Sequence, residues 1–330
     1  MAGRLELMHS WIGTELGIEN FKIVPASEDA SFRCYFRIYY GEETAIIMDA
    51  PPEKEDCLPF VDIVGRLLES GVNAPSIKQQ DLEKGFLLLD DLGDQLYLDV
   101  LTETNADMLY SDAIESIIKM QTQARVDELP PFNEARLLQE MQLFRDWLLK
   151  RHVKLELSAE QQNMLNECFN LLIRSAMEQP MVFVHRDYHS RNLLVGKQNN
   201  PGIIDFQDAI YGPLSYDLVS LLKDCYVKWP CTEIMKWVRV YYQLVRSHLF
   251  PELDEEQFIR WFDLMGVQRH LKASGIFARL YYRDQKAGFL KNIPRALSYI
   301  LDLEQDYSEL GPLIELIRSK VLPSLQEINL

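Results

Sequence analysis

The chain has 330 residues, with 50 acidic against 34 basic side chains and a formal charge of −16, a balance that disfavours a long nucleic-acid or anionic-membrane surface. The length permits two lobes with substantial buried cores, and no apolar run is long enough to span a bilayer. Met1 to Gly17 alternates charged with apolar residues, unlike a signal peptide, and Cys34, Cys57, Cys168, Cys225 and Cys231 form no C-x-x-C pair; a reduced, cytoplasmic protein without disulfide framework or zinc site is expected.

Residues 4–16 place Leu5, Met8, Ile12 and Leu16 at helical spacing and predict a short amphipathic helix. Phe21 to Val24, Phe32 to Tyr40 and Thr44 to Asp49 are rich in aromatic and β-branched residues, so three strands follow, with Gly41-Glu42-Glu43 as the turn between the last two. Pro25 to Ser31 reads as the turn joining the first two. It has no glycine, yet its amides and the hydroxyls of Ser27 and Ser31 suit phosphate; an ordinary polar turn is the equal alternative. Pro51-Pro52 stops the third strand, and Leu58 to Leu68 carries the helical period, with Leu58, Val61, Val64 and Leu68 on one side. Gly85 to Asp90 returns to strand. Asp90-Asp91-Leu92-Gly93 then reads as a hinge, where Asp90 and Leu92 are the candidate backbone contacts of a nucleotide.

From residue 94 the pattern is mainly helical, over approximately 95–127, 133–150, 158–177, 213–228, 231–248 and 254–275, punctuated by Pro130-Pro131, Pro180, Pro230 and Pro251. There is no internal repeat and no low-complexity linker, so the lobes are expected to pack closely around one cleft. The expectation is an α+β fold, with a small, mainly antiparallel β lobe over 1–92 and a large, mainly helical lobe over 93–330.

Within the helical part, apolar Met181 to Val184 leads into His185-Arg186-Asp187-Tyr188-His189-Ser190-Arg191-Asn192, and Leu193-Leu194-Val195 leads out. An Asp five residues before an Asn on one loop matches H-R-D-x-x-x-x-N, in which the Asp orients or deprotonates a hydroxyl and the Asn holds magnesium. Pro201 to Ile204 reads as a strand that delivers Asp205 as a second metal ligand, as in D-F-G. Singly these residues have ordinary roles, His185 in a core, Asp187 in a turn, Asn192 as a loop cap. The joint strand-loop-strand context favours phosphoryl transfer. His189, Gln207, Asp208 and Tyr211 flank the motifs and are candidates for acceptor hydroxyls, weighed equally against roles as loop polar residues. Trp229, Trp237 and Trp261 read as core more readily than as pocket walls.

One part is missing. The third strand would carry a phosphate-binding lysine near Ile46-Ile47-Met48, and Met48 stands there. Arg33 or Arg191 could supply the charge; a surface arginine paired with Asp29 or Glu28 is nearly as good a reading. Without any cation the chain would bind nucleotide and not turn it over. A pure binding module needs no positioned base, so Asp187, Asn192 and Asp205 favour an enzyme.

The runs F-V-H-R-D-Y-H-S-R-N-L-L-V and G-I-I-D-F-Q-D-A-I-Y-G-P-L-S-Y-D-L-V-S-L-L, with D-A-S-F-R-C-Y-F-R and M-D-A-P-P-E-K-E-D upstream, resemble the aminoglycoside phosphotransferase family, bacterial relatives of protein kinases, over nearly the whole chain. Within that family they look most like anomeric kinases of the cell-wall amino sugars N-acetylmuramate and N-acetylglucosamine. The resemblance implies a bilobal protein-kinase-like fold, ATP and Mg2+ as cofactors, Asp187 as catalytic residue and a small-molecule sugar as acceptor, with no obligate protein partner evident. It further implies that His185 braces the catalytic loop and that Asp217 hydrogen-bonds it. An aminoglycoside or other small alcohol is the nearer alternative acceptor, and a non-catalytic nucleotide-binding module the more distant alternative.

Overall fold

The computed structural model describes residues 2–28, 32–196 and 199–328. The chain begins with α1 (Ala2–Ser10), a π-helical turn at Trp11–Glu15, β1 (Lys22–Glu28), β2 (Cys34–Tyr40), β3 (Glu43–Asp49), α2 (Leu58–Glu69), β4 (Ile77–Asp81) and β5 (Phe86–Asp90). It continues through α3 (Tyr97–Val100), α4 (Ala106–Gln123), α5 (Glu134–Leu143), a second π-helical stretch at Phe144–His152, and α6 (Ala159–Met177). Four short strands follow: β6 (Met181–Val184), β7 (Leu193–Leu194), β8 (Gly202–Ile203) and β9 (Ile210–Pro213). The remainder is helical: α7 (Tyr216–Leu222), α8 (Cys231–His248), α9 (Glu255–Asp284), α10 (Ile293–Leu301), α11 (Gly311–Leu316) and α12 (Leu322–Glu327). None of the described helices is long and apolar enough to cross a membrane.

Two compact units result. The first is Met1–Leu96 with Leu193–Asp208, and the second is Tyr97–Asn192 with Ala209–Leu330. This differs from a single cut at residue 92, because residues 193–208 pack with the sheet-bearing unit. Backbone pairing is the reason: β7 and β8 form a ladder, Leu194 bridges Leu96, and Gly202 bridges Asn73.

In the first unit the strands make one antiparallel sheet in the order β1-β2-β3-β5-β4. Alternation buries Ile38, Ala45, Ile47, Phe86 and Leu88 against Met8, Trp11 and Ile12. The N-terminal helical face therefore runs Met8, Trp11, Ile12, while Leu5 is exposed. In α2 the expected period holds, but Leu58 and Leu68 are exposed at 59% and 39%; the buried stripe is Phe60, Ile63, Val64 and Leu67. The expected turn at Pro25 also shifts, since β1 continues to Glu28 through an irregularity between Pro25 and Ser27.

The second unit is organised by α9, whose 30 residues are buried on several sides. Its N-cap Asp254 accepts from the Gln257 amide at 2.9 Å. The sequence pattern predicts an end at Gly275, yet the helix runs on to Asp284. Gly275 is there for clearance, because a Cβ would run into the backbone of Leu143 and Phe144. The helix expected over 95–127 is broken into α3 and α4, and the one over 213–228 shortens to α7 because Gly212 and Pro213 belong to β9.

Gly275→Ala therefore sets helix propensity against overlap. Propensity favours Ala by about 1 kcal/mol, while inserting a methyl against fixed backbone costs about 1–3 kcal/mol or more. A lower urea midpoint is expected, and an unchanged or raised midpoint would show that α9 can move aside.

Candidate active site

β6 pairs antiparallel with β9, Val184 opposite Ile210, and so fixes the exit point of the loop that begins at His185. Apolar residues on both strands bury this exit. Both amides and the second carbonyl of the next two residues are then held. The amides of His185 and Arg186 donate to the two oxygens of Asp217, at 2.7 and 3.0 Å, from the first turn of α7. The Arg186 carbonyl accepts from Arg269 at 2.7 Å, and the Arg186 guanidinium reaches the buried Glu140 at 2.7 Å. Gln268 and Lys272 complete the surroundings of Glu140, at 3.1 and 3.4 Å, and Lys272 also donates to the Tyr216 hydroxyl at 3.0 Å.

These contacts hold Arg186 at φ +80°, a left-handed conformation that a non-glycine residue adopts only when its surroundings impose it. Asp187 follows directly. Its amide donates to Nδ1 of the buried His185 at 3.3 Å, so His185 braces the loop as expected. Its carbonyl accepts from the His189 amide at 3.0 Å and from Asn192 Nδ2 at 2.9 Å, which folds Asn192 back onto Asp187. The far end is held by Asp224, which accepts from the amide and hydroxyl of Ser190 at 3.0 and 2.5 Å.

Burial pushes the Asp187 carboxyl up, but the positive charge of Lys272, Arg269 and Arg186 outweighs it and holds the group well below the usual carboxylate range. Asp187 is therefore an anion. Burial pushes His189 down, so its imidazole is neutral, with its ring edge-on to Tyr226 at 5.4 Å.

Asp205 belongs to the first unit. It follows β8, whose Ile203 amide donates to the Asn73 carbonyl at 2.7 Å, and it too is left-handed, at φ +60°. Gln207 donates to its Oδ1 at 2.8 Å, and the next ring, Phe206, packs on Phe60 of α2 at 4.8 Å. The described structure thus brings Asp187, Asn192, His185 and His189 together in one unit, and Asp205 with Gln207 in the other.

The remaining candidates are dispersed. Asp90 accepts from the Ser76 hydroxyl and lies 3.2 Å from Lys78. Leu92 packs against Gly202 of β8. Arg33 is buried and pairs with Glu55 at 3.1 Å; the anticipated partners, Asp29 and the Glu28 side chain, lie outside the described residues. Arg191 lies over the rings of Tyr226 and Phe289. Tyr211 is part of β9 and Asp208 is exposed. Ser27 contributes backbone to β1; its side chain and all of Ser31 lie outside the described residues. Trp237 and Trp261 are core, and Trp229 donates to the Tyr110 hydroxyl at 2.7 Å.

Sequence reasoning missed Glu140, Arg269, Lys272 and Asp224, which act from far along the chain with no local signal. It also missed Arg37, whose guanidinium clasps Asp91 at 2.7 and 2.9 Å and donates to the Gly93 carbonyl at 2.9 Å, locking the segment after β5. Among the described residues no group of three or more His, Cys, Asp or Glu side chains is arranged to hold a metal.

An antiparallel sheet unit, a helical unit and a braced H-R-D-x-x-x-x-N loop define a phosphotransferase of the protein-kinase-like class. Residues 22–259 match the phosphotransferase enzyme family, and the chain belongs to it. It is 47% identical over 299 residues to the N-acetylmuramate/N-acetylglucosamine kinase of Pseudomonas aeruginosa, covering 90% of this chain and 88% of that one. It is 37% identical over 316 residues to the protein of the same name from Neisseria meningitidis, with 94% of each chain covered. Solved structures with the same fold include an ethanolamine kinase of Plasmodium vivax (TM-score 0.63, 13% identity, 96% of this chain and 91% of that one). An ADP-bound aminoglycoside phosphotransferase is similar as well (TM-score 0.58, 16% identity, 89% and 97%).

The clamp at Asp217 is directly testable. Asn offers one acceptor where the two amides need two, so Asp217→Asn should lose about 1–3 kcal/mol of stability. Burial pushes the Asp217 carboxyl up to about 7, against about 3.9 in an unfolded chain. Its contribution is thus full below about pH 4 and is lost as pH rises through about 7. Urea midpoints should show a larger deficit for the variant at pH 5 than at pH 8; a constant deficit would contradict the buried, proton-binding carboxyl.

Proposed function

We propose that the protein transfers the γ-phosphoryl group of ATP to the anomeric hydroxyl of N-acetylmuramate or N-acetylglucosamine. The observation that carries the reading is the closed loop around Asp187, an anionic carboxylate fixed through both its backbone groups, with Asn192 folded back beside it. A positioned base and metal-holding oxygens are most of what phosphoryl transfer requires of a protein. The names of the relatives at 37–47% identity support the acceptor, and the ADP-bound neighbour supports a nucleotide donor.

In this reading Asp187 accepts a hydrogen bond from the acceptor hydroxyl, orients its oxygen toward the phosphoryl group and takes the proton as the bond forms. An anomeric hydroxyl is more acidic than an ordinary alcohol, which suits a carboxylate of low proton affinity. Asn192 and Asp205 offer only oxygen donors, the set a hard cation such as Mg2+ takes. With Asn192 Nδ2 engaged by the Asp187 carbonyl, its amide oxygen is the atom for that task. A magnesium ion held by such an oxygen would supply positive charge against the negative charge that develops on the transferring group. Arg33, in the sheet-bearing unit, supplies the phosphate-facing cation that Met48 cannot. The product is a sugar 1-phosphate for cell-wall recycling, which sets the enzyme in the cytoplasm with a small molecule as its partner.

Positioned proton transfer contributes about 10²- to 10⁴-fold, so Asp187→Asn should lose most ADP release while keeping its melting behaviour and nucleotide affinity. Near-normal turnover would remove Asp187 from the chemistry.

The acceptor position has its own test. Free N-acetylmuramate or N-acetylglucosamine should support ADP release, and the methyl glycoside of either should not, because the reacting oxygen is blocked and the nucleophile itself is lost. Turnover of the methyl glycosides, or of kanamycin alone, would refute the anomeric assignment.

A further inference from the structure

The helical unit carries, beside the catalytic loop, a wall of rings with a cation lying on it. Arg191 is exposed and stands immediately before Asn192. Its guanidinium lies 4.9 Å over the Tyr226 ring and 5.3 Å from that of Phe289. Phe289 in turn stacks on Phe277 at 5.9 Å, and Tyr226 meets both Phe277 and the edge of His189.

This wall is tied to the loop that bears Asp187. Asp224 binds the amide and hydroxyl of Ser190 with one oxygen and the Tyr226 amide with the other, at 2.8 Å. Arg295 fastens the same segment from behind by donating to the carbonyls of Cys225 and Tyr226 at 3.1 and 2.8 Å. Arg191, Tyr226 and Asp187 therefore move as one piece.

The chemistry of Arg191 is unlike that of its neighbours. Arg186 is committed to Glu140, whereas among the described residues no carboxylate pairs with Arg191, in a chain with 50 acidic side chains. It lies on the Tyr226 ring, and a guanidinium has five donors around its edge. Rings that cover its face leave its edge for a planar anion, the geometry that a carboxylate meets with two parallel hydrogen bonds.

We propose that Arg191 binds the carboxylate of an acidic acceptor and is the residue that distinguishes N-acetylmuramate from N-acetylglucosamine. The inference rests on the amino-sugar reading above. The two sugars differ by one lactyl ether, so a single anion separates them and a single cation suffices to read it. A nucleotide phosphate is the other anion a guanidinium could take; the ring wall favours the sugar, whose apolar faces pack on aromatic side chains while a phosphate gains nothing from them.

The test compares Arg191→Gln with the unmodified full-length enzyme, measuring kcat/KM for each sugar and KM for ATP. Loss of a charge-assisted hydrogen bond should lower the N-acetylmuramate to N-acetylglucosamine ratio of kcat/KM by on the order of 10- to 100-fold. Arg191→Lys keeps the charge without the planar fork and should fall between. An unchanged ratio, whether both sugars weaken together with a raised KM for ATP or neither weakens, overturns the proposal and leaves the amino-sugar reading standing. An unmodified enzyme that phosphorylates neither sugar overturns both.

Discussion

The left-handed turn at Arg186 is the constraint on which the catalytic loop depends. A non-glycine residue held there costs on the order of 1–3 kcal/mol, and the surroundings impose it through three independent grips. Asp217 holds the amide, Arg269 the carbonyl and Glu140 the side chain. Two of these come from carboxylates buried among cations, the third from the long helix α9. Removing any one leaves a buried partner unsatisfied, which is more costly than the bond is worth. The loop is thus rigid because its failure modes are expensive, and Asp187, next in the chain, inherits that rigidity.

The same cations determine what Asp187 can do. Lys272, Arg269 and Arg186 depress its proton affinity, so it is a poor general base for an ordinary alcohol. In a loose phosphoryl-transfer transition state the attacking oxygen keeps its proton until late, and alignment matters more than basicity. An anion that is always available to orient a hydroxyl, bonded through fixed backbone, suits that requirement. The polar cluster beneath the loop serves geometry and charge at once: Glu140 offsets Arg186 and Lys272, and without it their repulsion would act on the turn at Arg186.

What was legible in the sequence was local. Alternation of aromatic and β-branched residues marked β2 and β3, and the spacing of Asp187 to Asn192 marked the loop. Periodicity located α2 but misplaced its buried stripe, since Leu58, Val61, Val64 and Leu68 fit a helical face as well as Phe60, Ile63, Val64 and Leu67 do. Only the partner surface, including the Phe206 ring against Phe60, decides between them. The helix expected to end near residue 275 runs on to Asp284, and the role of Gly275, clearance for the backbone at Leu143, is invisible until the second element is in place. Glu140 and Arg269 were unreadable for the same reason; they meet Arg186 across 46 and 83 positions.

Met48 shows how a departure from a family pattern can be resolved by neighbouring structure. It is fully buried in β3, opposite Tyr35 on one strand and Leu87 on the other. An ammonium in that ladder would need a partner to offset its desolvation. Arg33, at the approach to β2, already has one: Glu55, shortly before α2. Kinases couple their phosphate-binding lysine to a helix glutamate, and the Arg33–Glu55 pair has the same charges in the same unit. A planar guanidinium can hold a carboxylate along one edge and present its other donors to phosphate. In the proposed reaction, then, the clamp's charge has moved from the strand to its approach, where Glu55 already offsets its burial, and the apolar ladder through Met48 is left intact.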